Sequence, residues 1–144
     1  MLYFDTSFLA PLILEESTSA KIETFFAGLP VEELHVSHWT RVEFASLIAR
    51  EVRMGGLVEN DALLAIGQFD ELVAASFQVL TPSVADYEQA KNYIQRFPTK
   101  LRAGDALHLS IARNNDAKML YTLDEGLLSA AKLLKIRAGK GIKI

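Results

Sequence analysis

Asp5, Glu43, Asp105 and Asp124 are four carboxylates, far apart in a chain of 144 residues, whose settings resemble one another. Asp5 ends the apolar run Leu2-Tyr3-Phe4, Asp124 closely follows the run Lys118-Met119-Leu120-Tyr121, and Glu43 and Asp105 stand early in segments with helical spacing. Each has an ordinary structural explanation. A carboxylate at a helix N-terminus accepts orphan backbone N–H groups and favours the dipole. Thr40-x-x-Glu43 has capping-box spacing, Asp124 suits an N-cap, and Asp105 can serve its helix in the same way. Together the four carry more. Helix starts in a parallel α/β fold collect at the carboxyl ends of the strands, the edge where ligands bind. Acids gathered there repel one another and raise one another's pKa unless a cation compensates. With hard oxygen donors and no cysteine in the chain, Mg²⁺ or Mn²⁺ is favoured over Zn²⁺. The chemistry that such a group supports is metal-assisted hydrolysis of a phosphate ester. Thr6, Ser7 and Thr122 lie beside these acids and either bond to them or close the strand-to-helix turns.

The elements that must place these groups can be read from periodicity and punctuation. Leu2 to Phe4 and Leu34 to Ser37 are too short and too apolar for helices and predict buried strands, as do Phe77 to Leu80 and Lys118 to Tyr121. A short strand is expected near Ile136. Between them the spacing predicts helices over 7–14, from Ser17 or Thr18 to Ala27, over 39–54, from Asn60 or Asp61 to about Ala75, from Ser83 to about Phe97, over 102–115 and over 124–134. Strands alternating with helices imply parallel strands joined by crossovers. The expected fold is therefore a three-layer α/β/α sandwich around a central, mainly parallel sheet of four to five strands.

Length and composition fit one domain, residues 1–144, able to bury a sizeable core. Half of the residues are hydrophobic and 23% are charged, which excludes a disordered chain. Without cysteine there are no disulfides, thiolate metal sites or thiol nucleophiles. No apolar run approaches the roughly 18 to 20 residues of a membrane span, and no secretory leader is visible, so a cytoplasmic protein with no membrane partner is expected. Net charge is −3, but it is unevenly distributed: residues 1–72 hold 12 acids and 4 bases, residues 73–144 hold 6 acids and 11 bases. The last stretch carries Lys132, Lys135, Arg137, Lys140 and Lys143 without an acid. A basic face near an acidic site and an ordinary solvated tail are both compatible with this pattern.

Four pieces of the chain resemble a PIN domain, and specifically the VapC toxins of toxin–antitoxin pairs: Tyr3-Phe4-Asp5-Thr6-Ser7, Val42-Glu43, the stretch Leu101-Arg102-Ala103-Gly104-Asp105-Ala106-Leu107-His108-Leu109, and Tyr121-Thr122-Leu123-Asp124. They come in the expected order and span nearly the whole sequence, and the stretch around Asp105 is the most specific. The resemblance implies that Asp5, Glu43, Asp105 and Asp124 are a catalytic, metal-holding quartet, with Thr6, Ser7 and Thr122 supporting. It implies a Mg²⁺- or Mn²⁺-dependent endoribonuclease in which water attacks the phosphodiester and leaves a 5′-phosphate. It further implies a cognate antitoxin protein whose tail blocks the acids, and apolar helices early in the chain suit a homodimer face.

Arg102, three residues before Asp105, can touch a substrate phosphate or form an exposed salt bridge. Arg41 and the tail bases could follow an RNA backbone, which predicts salt-sensitive binding. Trp39 and Phe44 are candidates for base stacking as well as for the core. A metal-independent ribonuclease would need histidines as acid and base, and His35, His38 and His108 are the only ones; packing or support of the acids suits His108 better. The competing readings are a non-catalytic partner-binding module with the same fold, a stand-alone RNA-processing nuclease without an antitoxin, and an aspartyl-phosphate protein. The last fits poorly because no acid stands two residues after Asp5.

Overall fold

Leu2–Phe4 forms β1, the middle strand of a five-stranded sheet in a computed structural model that describes residues 1–144. The helices and strands in order are β1, α1 (Thr6–Leu9), α2 (Ser19–Ala27), β2 (Leu34–Ser37), α3 (His38–Arg53), α4 (Glu59–Ser76), β3 (Gln78–Leu80), α5 (Val84–Gln95), α6 (Ala103–Asn114), β4 (Met119–Tyr121), α7 (Glu125–Leu133) and β5 (Ala138–Gly139). Every strand pair is parallel, and the order across the sheet is β3-β2-β1-β4-β5. The chain thus builds outward from β1 in one direction, then returns to its other side. The crevice between the carboxyl ends of β1 and β4 is the switch point, the place where ligands bind in open α/β sheets.

Two cores lie on opposite faces of the sheet. One joins the apolar sides of α1 to α4 with Phe4, Leu34 and Val36. The other joins α5, α6 and α7 with Tyr3 and Leu120. Adjacent residues of β1 therefore enter different cores, as the two-residue period of a strand requires. Helix α6 is buried from Ala106 to Ala112, consistent with its place among other elements rather than on the surface.

The expected sandwich is the one observed, with a sheet that is parallel throughout. Local differences have local causes. The first helix breaks after one turn into a 3-10 segment at Ala10–Leu12, with Pro11 in its first turn. The helix expected to reach Phe97 ends at Gln95 and gives way to a 3-10 turn at Phe97–Thr99, also with Pro in its first turn. The last strand lies at Ala138–Gly139 rather than at Ile136, which packs into the core. No helix is long and apolar enough to cross a membrane.

Candidate active site

The pairing of Phe4 with Tyr121 sets the ends of β1 and β4 level, and the Asp5 N–H donates to the Tyr121 carbonyl at 3.2 Å. Asp5, still in extended conformation, caps α1. Its Oδ1 accepts from the Phe8 N–H at 3.1 Å and the Ser7 hydroxyl at 2.8 Å, and its Oδ2 accepts from the Thr122 hydroxyl at 2.6 Å. Thr122 Oγ1 and Ser7 Oγ in turn accept the N–H groups of Asp124 and Leu123, both at 3.0 Å. The hydroxyls that flank the acids in sequence thus lock the strand ends to one another. Asp124 caps α7 through Leu127 N–H at 3.1 Å.

Glu43 and Asp105 are placed differently from the expectation. The capping box of α3 is made by Ser37 and Thr40, because the helix starts at His38 and makes Thr40 its third residue. Glu43 stands one turn further in, free of backbone duty. Arg102 occupies the N-cap position of α6 without a side-chain cap, and Asp105 is in the first turn. A carboxylate there still gains from the helix dipole, but its oxygens are not used in capping.

Asp5, Thr6, Ser7, Glu43, Arg102, Asp105 and Asp124 line one pocket of about 500 Å³ at the switch point. Thr122 lies just beneath it, bonded to Asp5. Arg41 does not reach it; it is exposed, with Nη1 donating to His38 Nδ1 at 3.0 Å. The tail bases are elsewhere too. Lys140 pairs with Glu125, Lys143 offers its carbonyl to Lys21, and Lys135 and Arg137 join Arg113 and Lys118 around a separate cavity. Phe44 is fully buried against Phe69, with ring centroids 4.0 Å apart, and takes no part in the pocket.

A buried polar chain that the sequence did not announce holds Glu43. Its Oε1 accepts from the Thr6 hydroxyl at 2.6 Å and from His108 Nε2. His108 Nδ1 meets the Tyr3 hydroxyl at 2.7 Å, and that hydroxyl meets Ser37 Oγ at 2.9 Å. The signal available in sequence was that Asp105 and His108 share a helix face, and that Tyr3 and Asp5 share a strand face. Gly104 packs closely beside this chain. A Cβ there would come to 2.8 Å from Glu43 Oε2 and 3.1 Å from Trp39 Cζ2.

The charges respond to this enclosure. Burial pushes the Asp5 carboxyl up, against the opposing pull of His108 and of the bonds from Thr122 and Ser7. Asp105 is pushed up to about 6, first by burial and then by the neighbouring Asp124, Glu43 and Asp5 carboxylates. Burial also opposes charge on Glu43 and His108. Their mutual contact outweighs it, so Glu43 is held below and His108 above its ordinary range. With both ring nitrogens protonated, His108 donates to Glu43 and to Tyr3, whose hydroxyl donates to Ser37.

No three of these acids stand at the spacing of a preformed metal cage. The donor set nonetheless suits a hard divalent cation. Its acids supply only oxygens, and Asp105 holds its proton more tightly than an ordinary carboxylate, first because it is partly buried and then because Asp124 and Glu43 stand nearby.

A parallel α/β sandwich with an acid-lined switch point defines the class of this protein, and comparison supplies the family. Residues 2–133 match the PIN domain, and the chain belongs to that family. Solved structures share its fold. They include Mycobacterium tuberculosis VapC20, a sarcin-ricin loop cleaving toxin (20% identity, 90% of this chain and 95% of that chain, TM-score 0.70). FitAcB from Neisseria gonorrhoeae aligns with TM-score 0.75 at 16% identity, covering 98% of each chain. VapBC-1 from nontypeable Haemophilus influenzae aligns with TM-score 0.68 at 16% identity, again covering 98% of each. None of the curated proteins matches.

Proposed function

We propose that the protein is a VapC-type endoribonuclease that hydrolyses RNA phosphodiester bonds with Mg²⁺ or Mn²⁺ at the acid pocket. The observation that carries this reading is the meeting of Asp5, Glu43, Asp105 and Asp124, from four separate elements, in one cavity at the switch point. Asp5, Asp105 and Asp124 would hold the cation, and Glu43 would hold a second ion or orient the attacking water. A bound divalent cation supplies Lewis acidity at the phosphate and makes water more acidic near neutral pH.

The chain's own groups do the rest. Thr122, Ser7 and the Phe8 N–H fix both oxygens of Asp5, so its carboxylate faces the pocket without rotational freedom. His108 and Thr6 hold Glu43 ionised and in one orientation, ready to accept a proton from water. Arg102, on the pocket wall and without an ion-pair partner, meets the charge of a substrate phosphate. Water as nucleophile leaves the ribose 2′-OH unused and gives a 5′-phosphate product.

The partners this reading expects are an antitoxin protein that covers the pocket and a second copy of the chain. The test is incubation of purified protein with unpaired RNA in Mn²⁺ and in EDTA, beside Asp5→Asn. Cleavage is expected only for the unmodified protein in metal; cleavage that persists in EDTA or in Asp5→Asn would sink the mechanism.

A further inference from the structure

Beside the acid pocket lies a second cavity of about 440 Å³ between α5 and α6. Its lining is mainly apolar: Trp39, Tyr87, Ala90, Ile94, Ala103 and Leu107, with Lys91 and Gln95 at its margin. Trp39 is the wall common to both cavities, and its edge packs over Gly104, the residue between groove-lining Ala103 and Asp105. Tyr87 is 57% exposed although it is a large aromatic residue. A solvated aromatic ring beside an apolar cavity offers a face on which another ring can stack.

Charge around the groove selects its occupant. Lys91 lines the groove, no acid does, and Arg102 lines the adjoining pocket. The groove is therefore mainly apolar with one cation, Lys91, in its lining, and it adjoins a pocket that is proposed to hold a phosphodiester. A strand of unpaired RNA has that alternation of flat apolar bases and anionic phosphates. The volume lies within the range of roughly 300 to 1,000 Å³ typical of sites for small organic groups.

Resting on the nuclease reading above, we infer that this groove is a base-binding subsite. A nucleobase flanking the cleaved bond enters against Trp39, Tyr87, Ile94 and Leu107, while Lys91 and Arg102 meet the phosphates on either side of it. The groove selects unpaired over paired RNA, because a base held in a duplex cannot enter.

Trp39 is the one tryptophan in the chain, so its fluorescence reports the subsite directly. Asp105→Asn protein, which binds without cutting, is titrated with a short unpaired oligoribonucleotide and with a ribose-phosphate oligomer of equal length that lacks bases. The base-bearing oligomer is expected to quench Trp39 and to bind more tightly than the abasic one. Adding Tyr87→Ala, an exposed change that leaves the melting temperature unaltered, is expected to weaken binding roughly 5- to 150-fold, the range for loss of one stacked base. Lys91→Gln is expected to reduce the salt dependence of binding without abolishing the quench. Equal affinity for the two oligomers, or unchanged affinity in Tyr87→Ala, overturns the subsite, including the case in which an apolar peptide is the true occupant. Cleavage by the unmodified protein separates the two proposals. Cutting with an unchanged KM in Tyr87→Ala removes the subsite and leaves the nuclease. Quenching without any cutting leaves the subsite and removes the nuclease.

Discussion

The two faces of the sheet are built from different chemistry, and β1 shows the contrast in two adjacent residues. Phe4 enters a cluster of rings, with centroids 5.4 Å from Phe8, 4.8 Å from Phe26 and 5.4 Å from Tyr121, whose ring it stacks. Tyr3 enters a core rich in alanine and leucine and passes its hydroxyl to His108 and Ser37. The aromatic face gives stability that tolerates small errors in direction, since ring contacts are broad and each is worth about 0.5–1.5 kcal/mol beyond area burial. The other face carries hydrogen bonds that fix direction and that become costly when one partner is lost. Asp5 is held through α1 and Thr122, and Glu43 is held by Thr6 of α1 and, from the second side, by His108. A site built this way separates the groups that keep the chain folded from the groups that aim its carboxylates.

That separation can be broken by substitution. The largest effect is expected for Phe4→Ala, which removes a fully buried ring and should cost about 3–5 kcal/mol in urea unfolding. Tyr3→Phe, its neighbour, keeps the ring and removes only the hydroxyl. It should cost about 1–3 kcal/mol because His108 and Ser37 lose their partner, and should weaken Mn²⁺ binding roughly tenfold as the His108 ring loses its orientation. If Tyr3→Phe leaves Mn²⁺ affinity unchanged, the proposed division of labour fails.

Gly104→Ala should change stability by less than about 1 kcal/mol, since alanine suits a helix better than glycine. The new Cβ would displace the Glu43 carboxylate or the Trp39 edge. RNA cleavage should therefore fall while the unfolding curve hardly moves; equal losses in both would place Gly104 with the stability determinants instead.

A comparably small effect has a definite sign with pH. Asp105 holds its proton up to about pH 6 in the folded chain, against an ordinary value of 3.8. Between those values the folded state binds more protons than the unfolded one, so stability from this group is present at low pH and lost as pH rises through about 6. Asp105→Asn should accordingly stabilise the metal-free protein above pH 7. Solvent screening of this partly exposed carboxylate keeps the gain on the order of 1 kcal/mol, or roughly 3 °C in Tm. The gain should shrink as the pH falls below about 5. A Tm difference that does not vary with pH would mean that Asp105 is not raised by its neighbours.

Much of this design was legible in the sequence. Leu2–Phe4 and Leu34–Ser37 are short apolar runs ended by polar residues, and each forms the expected strand. Asp5 and Asp124 cap helices, as carboxylates following strands commonly do. The capping roles expected for Glu43 and Asp105 were misplaced for one reason, which is that a shift of one to three residues at a helix start moves the cap to another side chain. Ser37 and Arg102 occupy those positions. The strand order was not legible, because crossovers establish that strands are parallel without establishing which lie side by side. The chain from Ser37 through Tyr3 and His108 to Glu43 joins residues 34, 105 and 65 positions apart. No local pattern encodes it. The basic tail looked like an RNA track in sequence, yet Lys140 is paired with Glu125, and Lys135 and Arg137 lie around a cavity that none of the acids lines.

The central claim is that the four acids act together on a divalent cation, and Mn²⁺ binding followed by paramagnetic resonance tests it most directly. The unmodified protein should bind Mn²⁺ at pH 7.5 and lose affinity as the pH falls below about 6, where Asp105 takes up its proton. Asp105→Asn should weaken binding by at least about tenfold at pH 7.5 while keeping its fold. Mn²⁺ binding that is indifferent both to this substitution and to pH between 5 and 7.5 would contradict the account.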